Sequence, residues 1–313
     1  MNNIKNNHFL VLGRAGLDLY ADPPGTRVED ALAFSSALGG SAANIAVAIS
    51  KLGGRASLIG CVSEDAVGRY ILNQLHAYDI GREHMHIVAG EARSSLAVVE
   101  TRVENCQSVI YRNGASDFQL NETHIRKIEF KDYGALIVTG TSLAVEPSRS
   151  ATLLAMKLAR NAGIKVIIDI DYRPYSWISA EEASQVYLDA ALMCDIIIGN
   201  DVEFGVMGEG LGLARTLAQS TEVVIYKMGE KGSITFASAK EFETGIYPVT
   251  ALKPTGAGDA FMGAFITSYA EGIDIQTCVK RGSAAAAIVV TKVGCAPAMP
   301  DSQELNQFMK DHA

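Results

Sequence analysis

Apolar positions along the chain follow two alternating patterns. Short runs rich in β-branched residues predict strands at Phe9–Gly13, Ser57–Val62, Ala135–Gly140, Lys165–Ile170, Asp195–Gly199 and Val223–Met228. Apolar residues at helical spacing predict helices at Ser41–Leu52, Val67–Tyr78, Pro147–Asn161, Ala180–Met193, Leu213–Ser220, Gly256–Glu271, Ile275–Val290 and Ser302–Lys310. Several strand runs are apolar throughout, which is typical of strands covered on both faces. The alternation predicts an α/β fold with a mostly parallel central sheet and helices on both faces.

Two stretches depart from this alternation. Val28–Leu38 interrupts the first strand–helix unit, and Arg93–Asn113 alternates apolar and polar residues like a solvent-facing hairpin. We therefore predict one α/β domain over residues 1–313, with a small β-subdomain built from about residues 18–38 and 91–117. An ordinary surface hairpin is the alternative interpretation of the second stretch.

Composition and charge narrow the classes of partner. The 313 residues are 48% hydrophobic, which suffices for a large core, and the net charge of −8 indicates no basic surface for nucleic acid. The longest apolar stretches are far shorter than the roughly 20 residues of a membrane-spanning helix. No pattern typical of a signal peptide opens the chain, and the five cysteines lack CxxC spacing. We expect a cytoplasmic protein that binds small molecules, not nucleic acid or membrane.

The segment with the clearest chemical signal is Lys253–Ala264, which reads Lys-Pro-Thr-Gly-Ala-Gly-Asp-Ala-Phe-Met-Gly-Ala. Apolar residues recur at helical spacing after it, so Asp259 lies in the first turn of a helix. Backbone N–H groups at such a helix start have no partner within the helix and attract anions. The small residues Gly256, Ala257 and Gly258 let a bulky anion approach them. The segment predicts a phosphate site beside a carboxylate, although an ordinary capping turn has the same composition.

A second glycine-rich turn, Leu38–Asn44, also opens a predicted helix. Together the two turns resemble the ribokinase or PfkB-type family of sugar kinases, whose signatures are GG-x-x-x-N and, further along, (D/K)-x-T-G-A-G-D. Both occur here in that order, and the resemblance extends from roughly Phe9 to Pro300. It implies a ribokinase-like fold in which the β-subdomain covers the sugar site as a lid. Lids of this kind often pair between subunits, so the resemblance also implies a homodimer.

The resemblance implies ATP as phosphoryl donor and Mg2+ as cofactor. The residue matching Asp259 accepts the proton of the attacking hydroxyl in this family, and the amides of residues 256–258 stabilise the phosphate oxygens. The chain has no GxxxxGK[ST] motif, which excludes a P-loop. The residues implied in nucleotide binding are Lys227, Gly229, Gly232, Gly256, Gly258 and Ala287.

The implied magnesium residues are Asn200 and Glu203, because Asn200–Glu203 matches the family's N-x-x-E motif after a predicted strand. Hard oxygen ligands, mainly phosphate and water, would complete the coordination of the ion. A helix cap by Asn200 with Glu203 in the first turn is the structural alternative, and the two interpretations are compatible.

The family's sugar-binding residues match Asp18, Gly40 and Asn44 in this chain. A carboxylate such as that of Asp18 suits a polyol because it accepts several hydroxyl donors at once. Without the family, a lone aspartate after a strand would be assigned to a turn.

The stretch Asp169–Trp177 reads Asp-Ile-Asp-Tyr-Arg-Pro-Tyr-Ser-Trp. It resembles the D-x-N-x-R-P-x-x-W stretch of family members that act on keto-sugar acids, with Asp171 in the place of Asn. Arg173, together with Arg14 and Arg112, could bind an acidic acceptor through paired hydrogen bonds. Surface salt bridging is the alternative for Arg14 and Arg112.

These motifs imply ATP-dependent phosphorylation of the terminal hydroxyl of a keto-deoxy sugar acid in myo-inositol catabolism. Fructose, ribose or 2-dehydro-3-deoxygluconate remain alternative acceptors. A ligand-binding regulator is disfavoured because a sensor needs no base, and a nicotinamide-dependent dehydrogenase is disfavoured because no GxGxxG follows the first strand.

One departure from the family concerns ions. Many members carry an aspartate six residues before the base, where it helps to hold a monovalent cation. This chain has Lys253 at that position. We therefore predict that potassium does not activate it.

Overall fold

A nine-stranded sheet forms the centre of the computed structural model, which describes residues 4–312. In chain order the strands are β1 (His8–Leu12), β2 (Gly16–Asp22), β3 (Ala33–Gly39), β4 (Arg55–Ser63), β5 (Gly81–Val88), β6 (Leu96–Val99), β7 (Ser108–Tyr111), β8 (Ala135–Thr139), β9 (Lys165–Asp169), β10 (Ile196–Asn200), β11 (Val223–Lys227), β12 (Ser233–Ala237) and β13 (Lys240–Thr244). The order across the central sheet is β13-β12-β11-β10-β9-β8-β1-β4-β5. Strands from β11 to β5 pair in parallel, whereas β12 and β13 add antiparallel strands to one edge. The predicted mostly parallel sheet is confirmed.

Helices cover both faces of this sheet. They are α1 (Ser41–Lys51), α2 (Ala66–Ala77), α3 (Glu122–Ile125), α4 (Ser148–Asn161), α5 (Ala180–Ala191), α6 (Asp201–Met207), α7 (Leu211–Leu217), α8 (Ala257–Ala270), α9 (Ile275–Val290) and α10 (Ser302–Asp311). One buried cluster joins α1, α2, α8, α9 and α10 to one face, and a second joins α3 to α7 to the other. Every helix predicted from periodicity is present, with ends within three residues of the expected ones.

The strands β3, β2, β6 and β7 form a separate four-stranded sheet in that order. The outer pairs are antiparallel, whereas β2 and β6 run parallel. β3, β6 and β7 come from the two stretches that interrupt the α/β alternation, whereas β2 precedes the first of them. One of its faces carries the small buried cluster of Tyr20, Ala37, Ala97 and Val99.

Three strands of the central sheet have no counterpart among the predicted strands. These are β5, β12 and β13. β5 reads Gly-Arg-Glu-His-Met-His-Ile-Val at an edge of the sheet and is only partly buried, so it lacks the continuous apolar run of a central strand. No helix within residues 4–312 has the length and apolarity that a bilayer span requires.

The strand order fixes where a ligand can bind. β1 lies between β4 and β8, so the chain winds first toward one edge and later toward the other. In open α/β sheets of this kind, ligands bind beyond the carboxyl ends of the strands, near the point where the order reverses. The strands β1, β8, β9, β10 and β11 run in parallel and all end at this edge, so the segments that follow them begin there.

Candidate functional site

The two glycine-rich turns meet beyond the carboxyl ends of the central strands. Nδ2 of Asn44 on α1 donates a 2.8 Å hydrogen bond to Oδ2 of Asp259 on α8. Asn44 is buried, and the two residues are 215 positions apart in the chain. The convergence expected from the sequence is therefore present in the structure.

The start of α8 is shaped by Gly256. Its φ of +84° lies in the left-handed region, and a Cβ at this position would come within 2.9 Å of Cys295 Sγ. Both constraints favour glycine. Ala257 and Gly258 then begin the helix, with Asp259 in its first turn. The unpaired N–H groups of this turn and the carboxylate of Asp259 therefore stand side by side, as a phosphate site with an adjacent base requires.

Burial changes the acidity of Asp259. Removal from water raises its pKa to about 7, and the nearby carboxylate of Asp171 acts in the same direction. The hydrogen bond from Asn44 and the positive charges of Arg173 and Lys227 oppose this shift. A carboxylate with a pKa near neutrality is suited to accept a proton and to release it again.

One cavity collects most of the predicted acceptor and catalytic residues. Its walls include the β2–β3–β6–β7 sheet on one side and the start of α8 on the other. The predicted residues that line it are Arg14, Asp18, Gly40, Asn44, Arg112, Asp171, Arg173, Gly256 and Asp259.

Several oxygen atoms in this cavity lack hydrogen-bond partners among the described residues. They are Oδ1 of Asp18, Oδ1 of Asn44 and Oγ1 of Thr255, all buried. A buried polar atom without a partner is costly, and native proteins normally provide one. The unsatisfied oxygens are suited to hydroxyl donors from a ligand.

Asp18 is held by a tyrosine that the sequence did not single out. The hydroxyl of Tyr20 donates to Oδ2 of Asp18 over 3.1 Å and accepts a 3.1 Å hydrogen bond from the amide of Cys295. Burial raises the pKa of Asp18, while the charge of Arg14 and the tyrosine hydrogen bond lower it. Tyr20 thus ties the second sheet to the loop after α9.

Asp171, at the position of the family's asparagine, organises the opposite wall. Its carboxylate accepts hydrogen bonds from the hydroxyls of Ser41 (2.7 Å) and Thr141 (3.3 Å) and pairs with Arg173 Nη2 at 2.7 Å. The φ of Asp171 is +42°, a conformation that asparagine and aspartate tolerate better than most residues. The aspartate raises the pKa of Arg173 above its ordinary range.

The three predicted arginines differ in how far their charge is already matched. Arg112 is buried, donates from Nε and Nη2 to Asp117 Oδ2 at 2.8 and 2.6 Å, and stacks on Phe118. Arg173 pairs with Asp171. Arg14 donates from Nη1 to Ser95 Oγ over 3.1 Å, and among the described residues it forms no ion pair within 4.0 Å. Arg14 therefore contributes the least neutralised guanidinium in the cavity.

Lys227 ends β11 and points toward the start of α8. Its Nζ lies 3.5 Å from the position that a Cβ on Gly258 would take, and 3.9 Å from Asp169 Oδ1. Asp169 is fully shielded from water, which raises its pKa, and Lys227 opposes that shift. Sequence reasoning quoted Asp169 within a motif but gave it no role. The sequence does carry one signal for it, a carboxylate at the carboxyl end of a buried strand, because β9 reads Lys-Val-Ile-Ile-Asp.

The Asn200–Glu203 pair forms a complete capping box at the start of α6. Asn200 Oδ1 accepts from the Glu203 amide at 2.9 Å, and Glu203 Oε2 accepts from the Asn200 amide at 2.7 Å. Burial raises the pKa of Glu203, and Lys227 lowers it. Within residues 4–312, no cluster of three or more His, Cys, Asp or Glu side chains is arranged to hold a metal ion.

Three further residues predicted to bind the nucleotide lie outside the cavity. Gly229 and Gly232 flank a short turn between β11 and β12, and Ala287 is buried on α9. Position 232 requires glycine for a structural reason, since its φ is +83° and a Cβ would come within 2.1 Å of the Thr244 carbonyl oxygen. Roles in nucleotide binding remain predictions for all three residues.

Residues 6–302 match the family described as pfkB family carbohydrate kinase. A 5-dehydro-2-deoxygluconokinase of Photobacterium profundum is 42% identical over 311 residues, which cover 96% of this chain and 94% of the relative. The similarity to kinases of keto-deoxy sugar acids, inferred from the motifs, is thereby confirmed.

Solved structures show the same fold. An Escherichia coli protein described as ribokinase II, in complex with ATP and Mg2+, superposes with a TM-score of 0.88 at 20% identity, over 98% of this chain and 100% of that chain. A double mutant of the fructokinase from Vibrio cholerae O395, with fructose, ADP and a potassium ion bound, gives 0.86 at 24% identity, over 96% and 97%. The ribokinase-like fold is confirmed.

Proposed function

This chain belongs to the pfkB family of carbohydrate kinases, and we propose that its acceptor is 5-dehydro-2-deoxy-D-gluconate, phosphorylated on the terminal hydroxyl in myo-inositol catabolism. Transfer of phosphate from ATP to a sugar is the activity of the family. The observation that carries the proposal is the shared cavity, where the start of α8 and the acceptor residues face each other around Asp259. The name of the 42% identical relative supports the choice of acceptor.

Asp259 is the base in this proposal. Its carboxylate takes the proton of the attacking hydroxyl as the new O–P bond forms. The bond between the γ-phosphorus of ATP and its bridging oxygen breaks in the same step and ADP leaves, while Asn44 holds the carboxylate in place. The amides of Gly256, Ala257 and Gly258 bind the phosphate oxygens and stabilise the negative charge on them in the transition state. Fixing both reactants in one orientation supplies much of the rate enhancement in phosphoryl transfer.

Sugar hydroxyls would satisfy the unpaired oxygens of the cavity. Oδ1 of Asp18 and Oδ1 of Asn44 are buried acceptors, and both residues line the cavity. Gly40 lets the turn before α1 pack against the backbone of Arg14, since its φ is +97° and a Cβ would come within 2.3 Å of the Arg14 carbonyl oxygen. A polyol offers several hydroxyl donors at once, which makes this end of the cavity suited to a sugar chain.

Arg14 is the residue we assign to the carboxylate of the acceptor. The charge of Arg112 is matched by Asp117 and that of Arg173 by Asp171, so these two arginines bring less free charge to a ligand. Arg14 can form charge-assisted hydrogen bonds with an acid. Arg112 and Arg173 then shape the pocket and add further donors.

ATP binds on the other side of Asp259 in this proposal. Lys227 approaches the phosphates from β11, Gly229 and Gly232 form the adjacent turn, and Ala287 contacts adenine. Mg2+ would be held by phosphate oxygens and water, with Asn200 and Glu203 touching its water shell. The capping box fits this outer position, because its oxygens are hard acceptors but too few to enclose an ion. The ion would neutralise charge on the phosphates.

We also propose one α/β domain in which the small sheet acts as a lid and joins two subunits. The face of the sheet turned away from the cavity carries Leu17, Leu19, Leu96, Val98, Val109 and Tyr111, placed side by side by the strand register. Val109 and Tyr111 are 44% and 62% exposed. An apolar patch of this kind is typical of a protein interface. The five free thiols accord with a cytoplasmic location.

An ATP-consumption assay over a panel of acceptors tests the proposal. The panel contains 5-dehydro-2-deoxygluconate, 2-dehydro-3-deoxygluconate, gluconate, fructose and ribose. We expect the highest kcat/KM with the first compound, and a preference for acids over neutral sugars. The variant Arg14→Met should reduce kcat/KM for the acid by about 10- to 100-fold, as loss of a charged hydrogen bond does, and should affect a neutral sugar less. A higher kcat/KM with fructose or ribose would exclude the proposed acceptor.

A further inference from the structure

Lys253 is one of the largest fully buried side chains of the protein, with an exposed fraction of 0%. It lies beneath the turn that starts α8. Its Nζ donates to the carbonyl oxygen of Thr255 over 2.6 Å and to that of Val289 over 3.3 Å. A lysine is almost never this deeply buried unless it is paired, so the position requires an explanation.

The two carbonyls explain why a cation is stable at this place. Val289 lies in the last turn of α9, at the negative end of the helix dipole, and its carbonyl also accepts a 3.3 Å hydrogen bond from the Lys292 amide. Thr255 immediately precedes Gly256, so its carbonyl belongs to the same peptide unit as the Gly256 amide. A contact that fixes the Thr255 carbonyl therefore also fixes the direction of this N–H group toward the cavity.

The charges around Lys253 are those of the candidate site. Burial lowers the pKa of the lysine, whereas its electrostatic interactions with Cys295, Asp259, Cys106 and Asp18 raise it. These four residues come from four parts of the chain: β2, the β6–β7 loop, α8 and the loop after α9. The ammonium group of Lys253 therefore lies between acceptor residues such as Asp18 and the turn that starts α8.

We propose that Lys253 is a positioning residue whose ammonium group serves as a built-in monovalent cation beneath the phosphate-binding turn, so that the kinase needs no potassium ion. The inference rests on the proposed function. Backbone carbonyl oxygens are also the groups that bind alkali cations in proteins. The ammonium supplies the same unit charge to the Thr255 and Val289 carbonyls without a binding equilibrium, because it is tethered to the chain.

The first experiment measures steady-state kinetics in potassium, sodium and tetramethylammonium buffers. It compares the unmodified protein with Lys253→Met, which keeps the length of the side chain and removes its charge, and with Lys280→Met at an exposed lysine of α9 as the matched control. We expect the unmodified protein and Lys280→Met to have the same kcat in all three buffers. Lys253→Met should lose about 100-fold in kcat, comparable to loss of one oxyanion-binding donor, with a much smaller change in the acceptor KM.

Rescue by an added cation separates the role of charge from a role in packing. The variant Lys253→Ala leaves space beside the two carbonyls, so potassium, ammonium or methylammonium should restore part of its kcat. Lys280→Ala should show no such response. A loss of kcat that none of these cations reverses would overturn the proposal, as would a several-fold activation of the unmodified protein by potassium.

Two further measurements apply if a variant does not fold or if no acceptor is phosphorylated. Should the methionine variant fail to fold, Lys253→Arg takes its place. Potassium activation of Lys253→Arg would count against the proposal. So would a kcat that no substitution of Lys253 changes. Should no acceptor be phosphorylated, the proposed function fails by itself. Calorimetric titration with ADP then decides the inference, since ADP affinity should not depend on potassium in the unmodified protein and should do so in Lys253→Ala.

Discussion

Asn44 and Asp259 are joined by a 2.8 Å hydrogen bond across 215 positions of sequence. The contact exists because α1 and α8 pack unusually close to each other. A Cβ on Gly263 would come within 2.3 Å of the Ala48 Cβ, so only glycine permits this approach of the helices. The geometry around Asp259, the proposed base, therefore depends on Gly263, which does not line the cavity.

The variant Gly263→Ala tests this dependence. We expect the free energy of unfolding to fall by about 1–3 kcal/mol because the added methyl group overpacks the interface. We also expect kcat to decrease, because separation of the helices weakens the Asn44–Asp259 contact. Urea denaturation and steady-state kinetics measure the two effects.

Gly205→Ala is the matched control. Gly205 lies within α6, and a Cβ there meets no atom within 4 Å. Replacing glycine by alanine at an open helical position should stabilise the protein by up to about 1 kcal/mol. Equal stabilisation by both alanine variants would show that α1 and α8 are not in tight contact.

Replacing the base should separate chemistry from binding. In Asp259→Asn the side chain keeps its size but no longer accepts a proton, so kcat should fall by about 10²- to 10⁴-fold. Affinity for ATP should change little. Asp132→Asn, at an exposed aspartate, is the control for an added amide. Turnover in Asp259→Asn close to that of the unmodified protein would remove Asp259 from the role of base.

The raised pKa of Asp259 predicts an acidic limb in the pH profile. Below about pH 7 the carboxyl group of the free protein becomes protonated and can no longer accept the hydroxyl proton, so kcat/KM should fall as the pH decreases. Asp171→Asn removes a neighbouring negative charge that raises this pKa. It also releases Arg173 from its ion pair.

In Asp171→Asn the acidic limb of the pH profile of kcat/KM should therefore move to lower pH. The measurement is kcat/KM for the acceptor between pH 5 and 9 in buffers of constant ionic strength. A limb at the same pH in both proteins would mean that Asp171 does not control the charge of Asp259.

Histidines near the edge strand β5 should make stability sensitive to acid. Burial lowers the pKa of His8, His84, His86 and His124, in the case of His86 to about 4. In the unfolded chain these groups titrate near 6.5. Between those values the unfolded state binds more protons than the native state, so stability rises with pH in this window and is lost as the pH falls.

We therefore expect the histidines to lower the urea midpoint between pH 7 and pH 5, against an opposite contribution from buried carboxyl groups with raised pKa such as that of Asp259. His86→Gln should reduce that decrease, because the variant has no imidazole to protonate. His312→Gln, at an exposed histidine near the C-terminus, should leave it unchanged. The same pH dependence in all three proteins would contradict the assignment to His86.

The outer face of the small sheet should control the oligomeric state. Tyr111→Glu places a charge on the apolar face at its edge strand β7, where Tyr111 is 62% exposed, and should convert a dimer into a monomer. Leu192→Glu is the control, since Leu192 is 65% exposed at the end of α5, outside the small sheet. Light scattering after size exclusion gives the mass of each protein. A monomeric unmodified protein, or a dimer that survives Tyr111→Glu, would exclude this interface.

Much of the fold could be predicted because its determinants are local. β8 and β10 are continuous apolar runs, and helical spacing marks α8 and α9. β5, with two histidines and a glutamate, escaped prediction because an edge strand need not be apolar. The turn glycines that precede α1 and α8 were also recognisable, since the conformations they adopt exclude most other residues.

The candidate site also combines features that local sequence predicts with contacts that it does not predict. The identities of Asp259, Asn44 and Asp18 as site residues followed from motifs, and the structure brings them to one cavity. The partners Tyr20 and Cys295 carried no signal, because their contact joins the second strand to a loop near the other end of the chain. A pairing over such a distance leaves no trace in local spacing.

By itself, the amino-acid sequence determined the helices, the buried apolar strands, the two glycine turns and the residue types that phosphoryl transfer requires, because each depends on neighbours a few positions away. Only the tertiary structure decided which charges are free. Asp117 neutralises Arg112, burial brings the pKa of Asp259 close to 7, and two backbone carbonyls hold Lys253 without access to water. Such outcomes depend on dielectric surroundings and on partners that meet only when the whole chain has packed.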